Sequence, residues 1–366
     1  MNIDLLSRRS FVKAAAVVGA TLTNGLPVAR AAAPRKRNIK LGLDNFSVRG
    51  MKWNARQLVD YAAKLRCDTV FITDLGPFDG KHDDASLRDV RKYAADYAVE
   101  IILGSWSICP TSKSFKKDWG TAEEHLALGI RMAKALGSPA FRVVLGRQDD
   151  RLTEGGIEAR IADTVKVLKS QRSRAVDAGV KIAVENHSGD MQSWELVTLI
   201  ESAGKDYVGA NIDSGNACWT LEDPVANLEI LAPYVITTSL RDTMLWESAN
   251  GVTGQWTAMG DGCVDQQTYF DIFEKRCPGV AVNIETISGF AREFPIYKPE
   301  FWRIFPTTKA EQLARFLALA KKGHAIEPFK APAGVDKDKA QQDYQREQIE
   351  RSIRYCKEAL GLGVAA

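Results

Sequence analysis

The sequence has few of the residues on which most soft-metal and redox chemistry relies. Its 366 residues include four histidines and six cysteines, and no cysteines stand in a CxxC or other metal-ligand spacing. That excludes zinc-ribbon and dithiol chemistry. The chain is also too long to need a disulfide scaffold, so Cys67, Cys109, Cys218, Cys263, Cys277 and Cys356 read mostly as core thiols. No Gly-rich phosphate loop follows the first strand-like run. Asp44-Asn45-Phe46-Ser47-Val48-Arg49 stands there instead, which argues against a doubly wound dinucleotide fold. Charge excess is small as well. Of 49 basic and 46 acidic residues, the first 33 positions hold four and one, leaving 45 of each beyond them. A neutral chain lacks the clustered Lys and Arg whose counterion release drives polyanion binding, so a nucleic-acid partner is excluded and a small polar ligand fits better.

The N-terminus carries an ordered signal. Ser7-Arg8-Arg9-Ser10-Phe11-Val12-Lys13 precedes a mildly apolar, Ala-rich run over 14–26, then the small residues Ala29-Arg30-Ala31-Ala32-Ala33. Charged, apolar and cleavable segments in that order predict a twin-arginine export signal over 1–33, with the mature chain starting near Ala32 or Pro34. The apolar run is too short for a stable membrane span, and no other long apolar run follows. The expected location is the periplasm, reached through the twin-arginine machinery.

Beyond residue 33, short β-rich runs alternate with longer amphipathic ones, and no polar linker divides them. Strands are expected at 39–43, 69–72, 100–103, 140–145, 180–185, 207–213, 234–240 and 280–285. Eight strands is the count that closes a (β/α)8 TIM barrel, which we assign to 34–328. Helices are expected at 55–65, 122–136, 157–178, 193–203 and 309–322 among others. Gly137, Gly179 and Gly204 follow three of them and read as left-handed C-terminal caps. Residues 329–366 are charge-rich with apolar positions at Ile349, Ile353 and Leu360, a pattern for an appended helix packed on the barrel or on a partner subunit in a homo-oligomer.

In such a barrel the chemistry sits at the C-terminal ends of the strands. Three of the expected strands end in Glu185, Asp213 and Glu285. Carboxylates converging there repel one another unless a cation lies between them. Near them, Trp53, Trp106, Trp219, Trp246 and Trp256 fall mostly in loops after strands, where an indole face can stack on sugar C–H groups. Arg142, within strand four, reads as a paired interior residue. Arg241, after strand seven, reads as a group that binds a substrate carboxylate or neutralises the acidic site. Of His82, His125, His187 and His324, only His187 adjoins the strand-end carboxylates.

Taken together, Val184-Glu185-Asn186-His187, Asp213-Ser214-Gly215-Asn216, Leu240-Arg241-Asp242, the run Met259-Gly260-Asp261-Gly262-Cys263-Val264-Asp265, and Asn283-Ile284-Glu285 resemble the sugar phosphate isomerase/epimerase family, the xylose isomerase-like TIM barrels. The resemblance implies a divalent metal held by Glu185, Asp213 and Glu285, with a His at the end of strand seven as fourth ligand. Here that position is Ser239, in Ser239-Leu240-Arg241-Asp242. A hydroxyl is a poor ligand beside imidazole, and three carboxylates with water favour Mg²⁺ or Mn²⁺ over Zn²⁺. His187 is then a replacement ligand, a substrate contact or a residue that orients Glu185. Asn216, Arg241 and Trp106 are assigned with it to substrate.

The resemblance implies a sugar or keto-sugar isomerase or epimerase working through an enediolate, with Glu185 and Glu285 as base and acid. The same intermediate serves a lyase or hydratase on 3-keto-glycosides, and Ser239 motivates a non-catalytic sugar-binding protein as the competing class. The export reading is checked by fractionation. Replacing Arg8 and Arg9 with Lys should leave the protein unprocessed in the cytoplasm, and unchanged processing would show that another route carries it.

Overall fold

The computed structural model describes residues 35–365. The export signal expected at 1–33 lies outside the described residues. Seven strands follow in order: β1 (Leu41–Asp44), β2 (Thr69–Ile72), β3 (Glu100–Ser107), β4 (Ala140–Val144), β5 (Lys181–Glu185), β6 (Val208–Ile212) and β7 (Val235–Thr238). An antiparallel pair, β8 (Asp242–Ser248) and β9 (Gly251–Thr257), comes next, then β10 (Val282–Ile284) and β11 (Ala291–Phe294). Eight of these run parallel in the order β10-β1-β2-β3-β4-β5-β6-β7. Leu240, just past β7, pairs with Ile284 and joins the two ends of the sheet through Leu240 N–H to Asn283 O and Glu285 N–H to Leu240 O, both 2.8 Å. The result is the expected TIM barrel, closed by one residue rather than a full ladder.

The strands are short and mostly fully buried because helices cover the outside of the sheet. The helices begin where the sequence supplies a cap. Asn54 and Gln57 form a reciprocal capping box ahead of Ala55–Lys64, and Thr121 and Glu124 do the same for Ala122–Leu136. Gly137 and Gly179 end their helices in the left-handed conformation, as expected. Gly204 does not: its φ of 125° and ψ of 106° lie outside that region. The expected single helix over 157–178 is two, Gly156–Ser170 and Arg172–Ala178, broken at Gln171.

The three-stranded antiparallel sheet, in the order β11-β9-β8, was not anticipated. Its core of Leu245, Val252, Phe294 and Phe316 is separate from that of the barrel, and Phe294 meets Phe316 edge-on at 5.9 Å. The C-terminal helix, Lys337–Glu358, packs on the barrel. It buries Ile349, Ile353 and Cys356, accepts Gly50 N–H at Gln345 Oε1 (2.9 Å), and takes Tyr61 O–H at Glu350 Oε1 (3.1 Å). All six cysteines are free, and five are buried. No helix among the described residues is long and apolar enough to cross a membrane.

One buried group ties stability to pH away from the barrel mouth. His125, on the helix Ala122–Leu136, is 2% exposed and pairs through Nε2 with Ser105 Oγ at 2.7 Å. Burial holds its pKa down to about 4. Between pH 6.5 and 4 the unfolded chain therefore binds a proton that the folded chain refuses, and stability falls as pH falls. The His125→Gln variant lacks this loss, so the gap in unfolding free energy between wild type and variant should narrow on acidification, by at most about 1.4 kcal/mol per pH unit. Urea unfolding at pH 7 and pH 5 checks it, and an unchanged gap would mean His125 is not held neutral.

Candidate active site

Strand register brings the acidic groups together. Glu185, the last residue of β5, lies level with Val144 on β4 and Asn211 on β6. Asp213 and Glu285 stand one residue past β6 and β10. One oxygen from each of Glu185, Asp213 and Glu285 lies within 4.8 Å of the others, and all three residues are buried. Asp44, which ends β1, is a fourth buried carboxylate in the same cluster. The sequence reading passed over it, although it ends its strand as Glu185 does.

Two buried arginines answer this charge. Arg142 rises from inside β4 and donates from Nε to Glu185 Oε2 (2.5 Å) and from Nη1 to Ser105 O (2.8 Å). Gly104 faces it from β3, and a Cβ there would lie 3.1 Å from the Arg142 Cβ. Arg241 donates from Nη2 to both Asp213 Oδ2 and Glu285 Oε2. Asn211 Nδ2 adds a 2.9 Å bond to Glu185 Oε2, and Asn216 Nδ2 bridges Glu185 Oε1 (3.2 Å) and Asp213 Oδ2 (2.6 Å). Asp213 Oδ1 accepts the backbone N–H groups of Gly215 and Asn216. Among the described residues, Glu285 Oε1 accepts no hydrogen bond.

Burial dominates the ionisation of the cluster. It raises Asp213 well above the usual carboxylate range, with Arg241 pulling it down and the charges of Glu185 and Glu285 pushing it up. Asp44 is raised for the same first reason, with Glu285 adding to it. Burial pushes Glu285 up to about 7 against the opposing pull of Arg241. Carboxylates raised by burial and by one another in a cleft mark a candidate site.

Above these groups opens a cavity of about 260 Å³, lined among others by Trp106, His187, Asn216, Arg241, Glu185 and Glu285. Every residue assigned to catalysis or substrate from the sequence lies on it. Asp213 does not line it and sits beneath Arg241 and Asn216. His187 has not joined the carboxylates. Its Nδ1 lies 2.7 Å from Gly146 O and so carries the proton, leaving a lone pair on Nε2. Burial keeps the ring neutral, with a pKa of about 4.

Aromatic rings form the opposite wall. Trp219 and Trp256 stack with centroids 4.2 Å apart, and Phe290 meets both edge-on. Trp53 packs on Tyr61 and, like Trp246, does not line this cavity; the three tryptophans that do line it stand not in the loops expected but on β3 (Trp106), on β9 (Trp256) and at the end of the short helix Ser214–Trp219. Trp256 comes from β9. Its strand was signalled by Ala249-Asn250-Gly251, which the barrel reading did not use: Ala249 and Asn250 form a two-residue turn, and Gly251 opens β9 opposite Ser248.

By spacing alone the acidic triad is consistent with a divalent cation. The remaining donors do not fit one. Ser239, at the fourth-ligand position, is fully buried and gives its Oγ proton to Asp44 Oδ2 at 3.1 Å. The place between Asp213 and Glu285 is bridged by the Arg241 guanidinium.

Comparison with known proteins agrees with this fold. Residues 59–300 match the family model described as xylose isomerase-like TIM barrel. The protein YihM of Escherichia coli K12 is 22% identical over 148 residues, which are 39% of this chain and span less than half, 44%, of YihM. Among solved structures, D-psicose 3-epimerase with D-fructose matches with a TM-score of 0.56 and 14% identity over 88% of this chain and 100% of its own. IolI with a bound zinc matches at 0.53 and 16%, over 79% and 100%. The probable 3-DHS dehydratase AsbF of Bacillus anthracis matches at 0.51 and 13%, over 78% and 100%. At these identities the likeness is one of fold.

Proposed function

The chain belongs to the xylose isomerase-like TIM barrel family, and we propose that it is an enzyme that moves a proton beside the carbonyl of a sugar or keto-sugar, as an isomerase or epimerase. The observation that carries this reading is the pair of buried carboxylates, Glu185 and Glu285, lining one cavity with arginine, asparagine and histidine groups beside them. The epimerases and the dehydratase that share the fold support it.

One carboxylate removes the proton from the carbon next to the carbonyl. The C–H electron pair becomes the C=C bond of an enediolate, and the carbonyl π pair moves onto oxygen. The other carboxylate returns a proton, from the opposite face for epimerisation or to the neighbouring carbon for isomerisation. No electrons are gained or lost overall. Buried N–H donors near the developing oxyanion lower the barrier because they are fixed before the charge appears. Asn216 Oδ1 is buried without a partner and suits a substrate hydroxyl, and the neutral His187 Nε2 offers another acceptor. Metal dependence, and with it a choice of Mg²⁺ or Mn²⁺, would rest on the triad alone. Arg241 between two of its members speaks against it. Export to the periplasm, read from the first 33 residues, favours unphosphorylated substrates.

The aromatic wall of Trp219, Trp256 and Phe290 favours a second reading, loss of a β-substituent from the same enediolate in a keto-glycoside, with the wall holding the second ring. The two differ in product and share the first step. In D₂O, a reactive keto-sugar should gain deuterium at the carbon beside its carbonyl, and Glu185→Gln or Glu285→Gln should each slow this by about 10²- to 10⁴-fold with the fold intact. Exchange that survives both substitutions would remove the acid–base pair and leave only the barrel.

A further inference from the structure

The strongest unexplained feature of the molecule is a charged side chain with nothing to do at two of its three nitrogens. Arg241 is 2% exposed, yet its Nε and Nη1 are buried without a hydrogen-bond partner, while Nη2 bridges Asp213 and Glu285. Leaving guanidinium N–H groups dry and unpaired is costly, and such groups stay in a folded protein where a ligand completes them. Arg241 lines the cavity that holds Glu185 and Glu285.

The side chain is also held in place from every side. The Trp256 ring centroid lies 4.3 Å from the Arg241 Cζ, and Trp256 Nε1 is itself tied to Gly215 O at 3.0 Å. The backbone of Arg241 exchanges two hydrogen bonds with Ser214 Oγ, at 2.6 and 3.1 Å. Gly215 leaves room for the stem, since a Cβ there would lie 2.4 Å from the Arg241 Cγ. Sequence, backbone and packing thus agree on one position for the guanidinium, inside the acidic triad. Ser239, meanwhile, is turned to Asp44 and Asn211 and offers the triad no ligand.

We propose that Arg241 is the resident cation of this site, taking the place of a divalent ion, and that an unpartnered N–H group of its guanidinium receives the carbonyl oxygen of the substrate. This rests on the proton-transfer reading above. The electron pair that moves onto the carbonyl oxygen as the C–H bond breaks is then met by a fixed N–H donor of a permanent cation, and the proton goes to a carboxylate. A planar guanidinium can bridge two carboxylates through Nη2 and still hold N–H donors on its other nitrogens, an arrangement a Lys ammonium does not reproduce. The substrate class follows: a compound with a carbonyl beside a hydroxyl-bearing carbon, bound without a metal.

The test uses the full mature chain with MnCl₂ as probe. Equilibrium dialysis read by manganese electron paramagnetic resonance should show no stoichiometric Mn²⁺ on the wild type, and deuterium exchange into a keto-sugar should survive EDTA. The Arg241→Ala, Ser239→His double variant, which removes the guanidinium and restores an imidazole beside the carboxylates, should acquire one Mn²⁺ per chain. Arg241→Lys should bind no Mn²⁺ and lose about 10²- to 10³-fold in exchange, the scale on which oxyanion donors act. One Mn²⁺ bound per wild-type chain, with exchange abolished by EDTA, would overturn the proposal, as would exchange within twofold of wild type in Arg241→Lys. The wild-type measurements need no variant to fold. Absence of deuterium exchange from every keto-sugar would sink the proton-transfer reading, while the manganese measurements still decide which cation the triad holds.

Discussion

The ion pairs of Arg241 with Asp213 and Glu285 are the contacts on which the barrel mouth depends. Glu185, Asp213 and Glu285 converge within a few ångströms in a region where no residue of the cluster is more than 4% exposed. Arg142 neutralises one of them from below, and Arg241 bridges the other two. Removing one partner from a buried pair typically costs about 3–5 kcal/mol, because the other charge is left stranded. Three carboxylates at one mouth would multiply that cost. The surroundings of Arg241 follow from the need to keep it in place: Gly215 without a side chain, Trp256 over the guanidinium, Ser214 fixing the backbone.

The scaffold supplies position and little else. Parallel register sets Asn211 level with Glu185, and the closure at Leu240 puts Arg241 and Glu285 on adjacent connections. The antiparallel sheet then turns a bare mouth into a cavity, bringing Trp256 over the arginine, with Phe290 on the connection between β10 and β11. Its separate apolar core lets it stand on the barrel without borrowing the barrel's own packing. Opposite this aromatic wall, Trp106 and the neutral His187 complete a surface with an apolar side and a hydrogen-bonding side, the pairing that sugar rings present.

Much of this was legible in the residues. The eight strands, the strand-end carboxylates, the paired Arg142 and the cavity position of His187 and Trp106 follow from alternation of β and α runs and from chemistry placed where a strand stops. The C-terminal helix was visible as apolar positions within a charged run, and it chose the barrel. Less was legible where a residue's role depends on register or on a turn. Asp44 was hidden because its strand was read for a phosphate loop it lacks. Asn211 stood inside an apolar strand with nothing local to show which way it faces. The hairpin of β8 and β9 was masked by the expectation of a helix after each strand, though Ala249-Asn250-Gly251 marked it. Ser239 was read as a missing ligand. Arg241 was read as neutralising the acidic site; what the sequence did not show is that its guanidinium bridges two of the carboxylates, which requires the closure of the barrel and the bare backbone of Gly215.

The central claim is about which cation lies between Asp213 and Glu285, and anomalous diffraction from crystals of the protein soaked in MnCl₂ addresses it most directly. The account predicts clear density for the Arg241 guanidinium between those two carboxylates and no manganese peak within coordination distance of Glu185, Asp213 and Glu285. A manganese peak shared by the three carboxylates, with Arg241 displaced from them, would contradict it.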